Sequence, residues 1–211
     1  MDELIQNIKN LAEVYSANLK GKIEARTEEM KADDNSHYLI YRVLGINLQE
    51  EQLIDQYQNT GRFLYKYAGS FLEEAASLCL NYKYPVGIKT KVENTIGHRP
   101  KTFEIDFLNA NDAIEVKWRV ATTDGDHITK EHTRVQVIRN HGYKPIRVMF
   151  YYPQREQAIR IQQTLKTLYA GVEGAYYGGD EAWEYSKAYS GVDLKAILTQ
   201  NANERTPENG N

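Results

Sequence analysis

The stretch FEIDFLNANDAIEVKWR, residues 103–119, decides how this sequence folds. Apolar and polar residues alternate on both sides of the polar segment NAND, residues 109–112. A period of two is typical of β-strands, and a short run of Asn and Asp between two such patterns is typical of a tight connection. We therefore predict one strand over residues 102–108 and a second strand, paired with it as a hairpin, over residues 113–119.

The alternation also assigns side chains to the two faces of the hairpin. Phe103, Ile105 and Phe107 are expected to share one face of the first strand, so that Asp106 points to the other face. The second strand alternates in the same way, and its charged side chains share one face. Apolar and charged faces should therefore be separated in both strands.

The pairing register follows from the same pattern. If Phe107 lies opposite Ile114, two apolar side chains meet and Asp106 lies opposite Glu115. A shift of one residue would bury the Asp106 carboxylate among aliphatic side chains, which costs free energy because the charge loses its hydration. We therefore predict that Asp106, Glu115 and Lys117 meet on one face.

Helical segments precede the hairpin. Spacings of three and four between apolar residues predict helices over residues 1–31, 47–57 and 69–80. Residues 33–36 are predicted as a turn, and the type of the apolar run at residues 38–44 stays open.

Further strands and helices surround the hairpin. We predict strands over residues 85–92 and 146–152, and helices over residues 127–140, from Pro153 onward, over residues 180–189 and over residues 192–200. The near-continuous apolar run at 146–152 is typical of a strand that is buried on both faces, and Gly142 is expected to end the helix before it.

The order of these elements predicts an α/β fold, with a mixed central β-sheet flanked by helices and an N-terminal helical region. We expect residues 1–64 to form that helical region, packed on or beside the core, and residues 65–200 to form the core itself. Residues 201–211 are polar and are expected to be a disordered tail.

Composition excludes several classes of protein. The chain has 211 residues, 41% of them hydrophobic, and a formal net charge of −3. No apolar run reaches the roughly 18 residues of a membrane span, and residues 1–20 lack the apolar core of a signal peptide. The lone Cys79 excludes an internal disulfide and a cysteine-built zinc site. We expect a cytoplasmic protein with no membrane partner.

Charge is unevenly distributed along the chain. Residues 1–80 carry 8 basic and 13 acidic side chains, residues 81–160 carry 14 and 9, and residues 161–211 carry 4 and 7. A basic middle between acidic flanks indicates one surface that faces a polyanion, although uneven charge without any partner explains the counts equally well.

The predicted cluster of Asp106, Glu115 and Lys117 has a specific chemistry. Opposed carboxylates repel each other unless a cation lies between them, and Mg²⁺ prefers oxygen ligands. A neighbouring ammonium group can then orient a water molecule, so the pattern suits metal-dependent hydrolysis of a phosphodiester. Glu73 and Glu74, on the helix before the sheet, are candidates for a third carboxylate. The alternative is an exposed ion cluster on a hairpin.

Two stretches carry a family resemblance. The order of a helix with glutamates, a strand with Asp106, a strand with Glu115 and Lys117, a helix and a strand resembles the PD-(D/E)xK nuclease superfamily, with Ile105 in place of its usual proline. The runs IEVKWRVATTDGDHITKEH, residues 114–132, and KPIRVMFYYP, residues 144–153, are similar to ApaLI-type restriction endonucleases. The resemblance covers about residues 65–185.

This resemblance implies a type II restriction endonuclease that hydrolyses double-stranded DNA at a short, palindromic sequence and leaves 5′-phosphates. It implies Mg²⁺, with Mn²⁺ able to substitute, held by Asp106, Glu115, the backbone carbonyl of Val116 and Glu73 or Glu74. Lys117 would position the attacking water. A palindromic site implies a homodimer, to which the N-terminal helix would contribute unless it packs on its own domain. A cognate DNA methyltransferase is expected in the genome, not as a stable subunit.

The resemblance also suggests which residues contact DNA. They are Arg119, Thr122, Thr123, Asp124, Asp126, His127, Lys130 and Arg134. Asp126 is interpreted equally as a base-reading residue and as the cap of the helix that follows. Residues 176–179 are interpreted as a turn or a loop facing DNA, and the lysines and arginine at positions 89, 91, 99 and 101 as phosphate contacts or solvated charges.

Two other functions stay open. The same fold serves structure-specific nucleases that repair DNA or resolve junctions, and the carboxylates could be structural in a non-catalytic DNA-binding module. A second metal site around His127, Glu131 and His132 is not favoured, because the sequence lacks an H-E-x-x-H pattern.

Overall fold

The computed structural model of the protein describes residues 1–32, 34, 36–97, 99–119 and 125–206, with the backbone alone at residues 48 and 125–127. Over these residues the elements follow one another as α1 (Asp2–Lys31), α2 (Tyr38–Val43), α3 (Leu48–Lys83), β1 (Ile88–Glu93), β2 (Thr102–Asn109), β3 (Asp112–Lys117), α4 (Gly125–Asn140), β4 (Lys144–Met149), α5 (Glu156–Gly171), β5 (Ala175–Gly178), α6 (Asp180–Ser190) and α7 (Leu194–Arg205).

The five strands form one mixed sheet in the order β1-β2-β3-β4-β5. The pairs β1–β2 and β2–β3 are antiparallel, whereas β3–β4 and β4–β5 are parallel. Each parallel step needs a crossover, and α4 and α5 provide them. The predicted α/β class with a mixed sheet and an N-terminal helical region is confirmed.

The predicted hairpin register is confirmed, with Phe107 opposite Ile114, but one predicted face is wrong. Ile88 pairs with Leu108 and Thr90 pairs with Ile105, so that three residues of β2 span two residues of β1. Such an extra residue reverses the side-chain alternation beyond it. Phe103 and Ile105 therefore pack in a different cluster from Phe107.

Two apolar clusters tie the helices to the sheet. One joins α4, β4, α5 and β5 through Val135, Met149, Ile161, Leu165, Tyr169, Val172 and Tyr176. The other joins β1, β2, β3 and α4 through Val92, Phe103, Ile105, Ala113, Val137 and Ile138. Helix α4 contributes to both clusters, which fixes its position over the strands that surround β3.

Several element limits differ from the predictions. Residues 38–43 are helical, and α3 is one continuous helix where we predicted two. Residues 176–178, interpreted above as part of a turn or loop, belong to strand β5 (Ala175–Gly178), which was missed because a four-residue strand is recognised only by its pairing with β4. The expected disordered tail is wrong over residues 201–205, where α7 continues with Asn201 buried. Residues 207–211 lie outside the described residues. Gly142, at φ +82°, follows α4 as predicted.

The chain divides into two compact units, Met1–Ile8 with Leu72–Asn211 and Lys9–Phe71. The first contains the sheet. In the second, the Tyr15 ring of α1 packs edge-on against Tyr67 and Phe71 of α3, at centroid distances of 6.2 and 5.8 Å. The domain boundaries at residues 64 and 200 stay predictions. Within the described part of the chain, no helix combines the length and the hydropathy that crossing a membrane requires.

Gly87 permits the close approach of the Phe107 ring just before β1. A Cβ atom at position 87 would lie 2.1 Å from Cζ of Phe107, whose side chain is fully buried. We expect Gly87→Ala to lower the free energy of unfolding by about 1–3 kcal/mol, as overpacking does. Gly171→Ala is the matched control, because nothing lies within 4 Å of its Cβ position.

Urea denaturation followed by circular dichroism measures both variants. The control should stay within about 0.5 kcal/mol of wild type. Equal stabilities of the two variants would contradict the assigned contact between Gly87 and Phe107.

Candidate active site

The three charged side chains predicted to meet do meet, at the point where β2 and β3 separate. The ladder between these strands runs from Asn109–Asp112 to Phe107–Ile114. Beyond it, Oδ2 of Asp106 accepts a hydrogen bond from the Val116 N–H at 2.9 Å. Nζ of Lys117 lies 2.8 Å from Oε1 of Glu115 and 3.9 Å from Oδ2 of Asp106. Beyond the end of the ladder, the Asp106 carboxylate thus replaces a backbone carbonyl as the acceptor for the Val116 N–H.

A second group of carboxylates lies on the other side of Asp106. Carboxylate oxygens of Glu73, Glu104 and Asp106 lie within 4.8 Å of one another. Glu73 comes from α3 and is half-buried, whereas its neighbour Glu74 is exposed. The structure therefore brings Glu73 to the site. Glu104 was missed by sequence reasoning, although its position two residues before Asp106 on one strand was a usable signal.

A lysine occupies the middle of this second group. Nζ of Lys89, on β1, lies 2.7 Å from Oε1 of Glu73, 2.9 Å from Oε1 of Glu104 and 3.9 Å from Oδ1 of Asp106. Partial burial works to lower the pKa of Lys89, but its bonds to Glu73 and Glu104 outweigh burial and raise the pKa. Lys89 is therefore neither a free phosphate contact nor a simply solvated charge.

Glu115 is buried and surrounded by cations. Its carboxylate contacts Lys117 and Arg134, and Nη1 of Arg147 lies 3.7 Å from its Oε2. Burial works to raise the pKa of Glu115, but Arg134, Lys117 and Arg147 outweigh burial and hold the pKa well below its ordinary value. Glu115 is therefore ionised throughout the neutral range.

The cations around Glu115 are themselves paired. Nη1 of Arg147 donates a 2.9 Å hydrogen bond to Oε2 of Glu131, which also accepts from the Tyr169 hydroxyl at 3.2 Å. Arg134 donates to the carbonyl oxygen of Glu104 at 2.9 Å. Sequence reasoning missed Arg147, although an arginine inside an apolar strand needs a buried partner.

Asp106 has the opposite electrostatic environment to Glu115. Burial raises the pKa of Asp106 to about 7, and the carboxylates of Glu115 and Glu73 add to the rise, against Lys117 and the Val116 N–H. The side chains near Asp106 thus supply less positive charge than its ionised form requires. A divalent cation would supply that charge, and carboxylate oxygens are the ligands that Mg²⁺ prefers. The donor set therefore fits a metal of this kind.

The residues predicted to contact DNA, apart from Arg134, fall into three groups. Arg119 and Lys130 are exposed, as expected, and the Arg119 guanidinium lies 5.6 Å from the Trp118 ring centroid. Asp126 and His127 lie in the first turn of α4. The remaining predicted contacts before α4, Thr122, Thr123 and Asp124, lie outside the described residues.

Arg134, one of the predicted DNA contacts, lies largely buried. Its side chain is only 12% exposed and contacts Glu115, with its guanidinium 5.6 Å from the Phe103 ring centroid. The reason is the buried charge of Glu115. An unpaired buried carboxylate lowers the stability of the fold, and Arg134 of the facing helix α4 pairs with it. Arg134 is thus part of the charged network around Glu115.

The buried pair of Arg147 and Glu131 gives a direct test of this network. Arg147→Met leaves the buried Glu131 carboxylate with only the longer ion pair to Arg134, at 3.8 Å, and we expect the free energy of unfolding to fall by about 3–5 kcal/mol. Arg139→Met is the matched control, because Arg139 pairs with Glu173 on the surface. Loss of that exposed pair should lower the free energy of unfolding, measured by urea denaturation, by less than about 1 kcal/mol. Similar small losses of unfolding free energy in both variants would show that the buried pair of Arg147 and Glu131 does not stabilise the protein.

Comparison with known proteins bears on the whole chain. Searches of curated proteins and of solved structures find no significant match. In contrast, residues 1–203 match the family model described as ApaLI-like restriction endonuclease. This match spans both compact units and the site around Asp106, so it covers nearly all of the 211 residues. The chain therefore belongs to the ApaLI-like restriction endonuclease family.

Proposed function

We propose that the protein is a type II restriction endonuclease that cuts double-stranded DNA at a short palindromic sequence in a Mg²⁺-dependent reaction, leaving 5′-phosphates. Family membership supports the nuclease activity. The single observation that carries the site assignment is the meeting of Asp106, Glu115 and Lys117 where β2 and β3 separate. A resemblance of this arrangement to the PD-(D/E)xK superfamily is part of the proposal.

The metal ligands in this proposal come from three elements. Asp106 and Glu115, the backbone carbonyl of Val116 and Glu73 would hold Mg²⁺, or Mn²⁺ in its place. Glu104 adds a further carboxylate oxygen close to Asp106 and Glu73. When bound, the metal polarises the phosphate and lowers the pKa of a coordinated water. Asp106 and Glu115 must be ionised to serve as ligands, so activity should decline in acid.

Lys117 positions the nucleophile in this proposal. Its ammonium group is held by Glu115 and lies next to Asp106, and its side chain is 35% exposed, so one of its N–H groups can reach a water in the site. The water gives up one proton to solvent as its oxygen bonds to phosphorus and the bond to the 3′ oxygen breaks. The leaving 3′ oxygen takes up a proton, and the phosphate stays on the 5′ end.

DNA binding is assigned to the surface next to the site. Arg119 and Lys130 are exposed cations on either side of the start of α4. Thr122, Thr123 and Asp124, which precede α4 in the sequence, and Asp126 and His127, in its first turn, stay predicted base-reading contacts. Because phosphate contacts release counterions, binding should weaken steeply with salt. The enzyme would act in the cytoplasm, with the genome protected by a methyltransferase.

A two-fold dimer would give one active site for each DNA strand. In the unit Lys9–Phe71, α2 and its C-cap residue expose the apolar side chains of Leu39, Ile40, Val43 and Leu44, each by 60% or more. Their spacing along α2 places them on one side of the helix. Such an apolar stripe indicates a contact surface, and we propose that a second copy of the chain binds there.

Cleavage of plasmid DNA in Mg²⁺ tests the assigned site. We expect Asp106→Asn and Lys117→Ala to lower the rate by roughly 10²–10⁴-fold, because each removes a group that acts in the transition state. Lys144→Ala and Glu156→Gln are controls, since both residues are exposed and lie outside the site. Undiminished cutting by either site variant would remove the assignment.

The same digests separate the alternative functions. Discrete fragments with defined ends support a restriction enzyme. Intact plasmid with cleavage of branched DNA indicates a structure-specific nuclease. Sequence-selective binding without cleavage in Mg²⁺ or Mn²⁺ indicates a non-catalytic DNA-binding module.

Light scattering after size-exclusion chromatography tests the dimer. We expect Leu39→Lys combined with Val43→Lys to weaken dimerisation at least about hundredfold, because like charges would meet across the two-fold axis. Val86→Lys is the control, since Val86 is 81% exposed in the other compact unit. A wild-type monomer would contradict the homodimer, and a dimeric double variant would place the interface elsewhere.

A further inference from the structure

The acidic group of Glu73, Glu104 and Asp106 already contains a cation from the protein itself. Nζ of Lys89 lies 2.7 Å from Oε1 of Glu73 and 2.9 Å from Oε1 of Glu104. These distances are those of charge-assisted hydrogen bonds. The ammonium group thus neutralises carboxylates that would otherwise repel one another.

The position of Lys89 conflicts with a metal ion that uses the same oxygens. Mg²⁺ requires its oxygen ligands at about 2.0–2.1 Å, so an ion that bridges Oε1 of Glu73 and Oε1 of Glu104 must lie between them. Nζ of Lys89 now occupies that space, so the ammonium group and a bridging ion cannot be present together. The Lys89 side chain is 52% exposed, and its flexible stem gives the ammonium group a way out into solvent.

The Glu115 side of the site is built differently. Glu115 is paired with Arg134 and Lys117 in a buried network whose arginines have further partners. Those cations cannot leave without unpaired charges remaining inside the protein. Lys89 differs from these cations, because its side chain is 52% exposed and its two short ion pairs are with partly exposed glutamates.

We propose that Lys89 is an internal competitor of the metal ion: it holds Glu73 and Glu104 together in the metal-free protein and must leave when the ion binds them. The inference rests on the proposed metal-dependent function and adds a residue that is not among the predicted metal ligands. It makes metal affinity depend on a side chain that is not a ligand. Lys89 sets that affinity by the cost of breaking its two ion pairs.

Lys91 provides a matched comparison on the same strand. Its Nζ lies 3.8 Å from Oε2 of Glu104, at a longer distance and on the other carboxylate oxygen. Among the ion pairs found over the described residues, Lys91 has none with Glu73 or Asp106. Loss of Lys91 removes a similar positive charge from β1 without vacating the space between the carboxylates.

Binding of Mn²⁺ to the DNA-free protein, followed by the electron paramagnetic resonance signal of the free ion, tests the proposal without cleavage. Lys89→Met should bind Mn²⁺ about tenfold more tightly than wild type, because two ion pairs no longer compete. Lys91→Met should stay within about twofold of wild type. Lys89→Arg keeps the charge and should keep the weak affinity.

The outcomes separate this inference from the proposed function. Unchanged Mn²⁺ affinity in Lys89→Met, with clear binding by wild type and loss of binding in Asp106→Asn, overturns the competitor role and leaves the metal site intact. Equal tightening in Lys89→Met and Lys91→Met also overturns it, since the effect would be one of general charge. Absence of Mn²⁺ binding in wild type and in every variant overturns the metal site and the inference together.

Discussion

The buried carboxylate of Glu115 is the constraint on which the rest of the structure depends. A carboxylate removed from water on a central strand is tolerated only if cations surround it. Lys117 comes from the same strand, Arg134 from the crossover helix α4, and Arg147 lies directly opposite Glu115 on β4. The position of α4 and the parallel pairing of β3 with β4 are therefore tied to one charged side chain.

The site is divided electrostatically around Asp106. On the Glu115 side the cations are buried and paired, which keeps that carboxylate ionised and fixed. On the Glu73 side two exposed lysines, Lys89 and Lys91, balance several carboxylates. Asp106 lies between the two sides, and its pKa is raised to about 7, chiefly by burial. The Glu115 side thus holds its carboxylate in a fixed position. The Glu73 side carries more negative than positive charge, and a divalent ion would neutralise the excess.

A local irregularity of the sheet makes this division possible. The extra residue of β2 between its pairings with β1 reverses the alternation, so that Phe103 and Ile105 pack on α4 while Phe107 does not. At the same place the β2–β3 ladder ends, and the Asp106 carboxylate takes the Val116 N–H. Bulges of this kind re-aim side chains in many sheets. Here the bulge turns Asp106 toward both groups of charges.

The α/β class, the register of Phe107 with Ile114 and the meeting of Asp106, Glu115 and Lys117 were predictable from the residue order, because period-two alternation is a local property of a chain. Only the tertiary structure decided between Glu73 and Glu74, drew Arg134 inward and supplied Arg147 and Lys89. The physical reason is that a charge-balancing partner is chosen by distance in space. Arg147 and Lys89 lie far along the chain from the carboxylates with which they pair, so no local sequence pattern predicts these pairs.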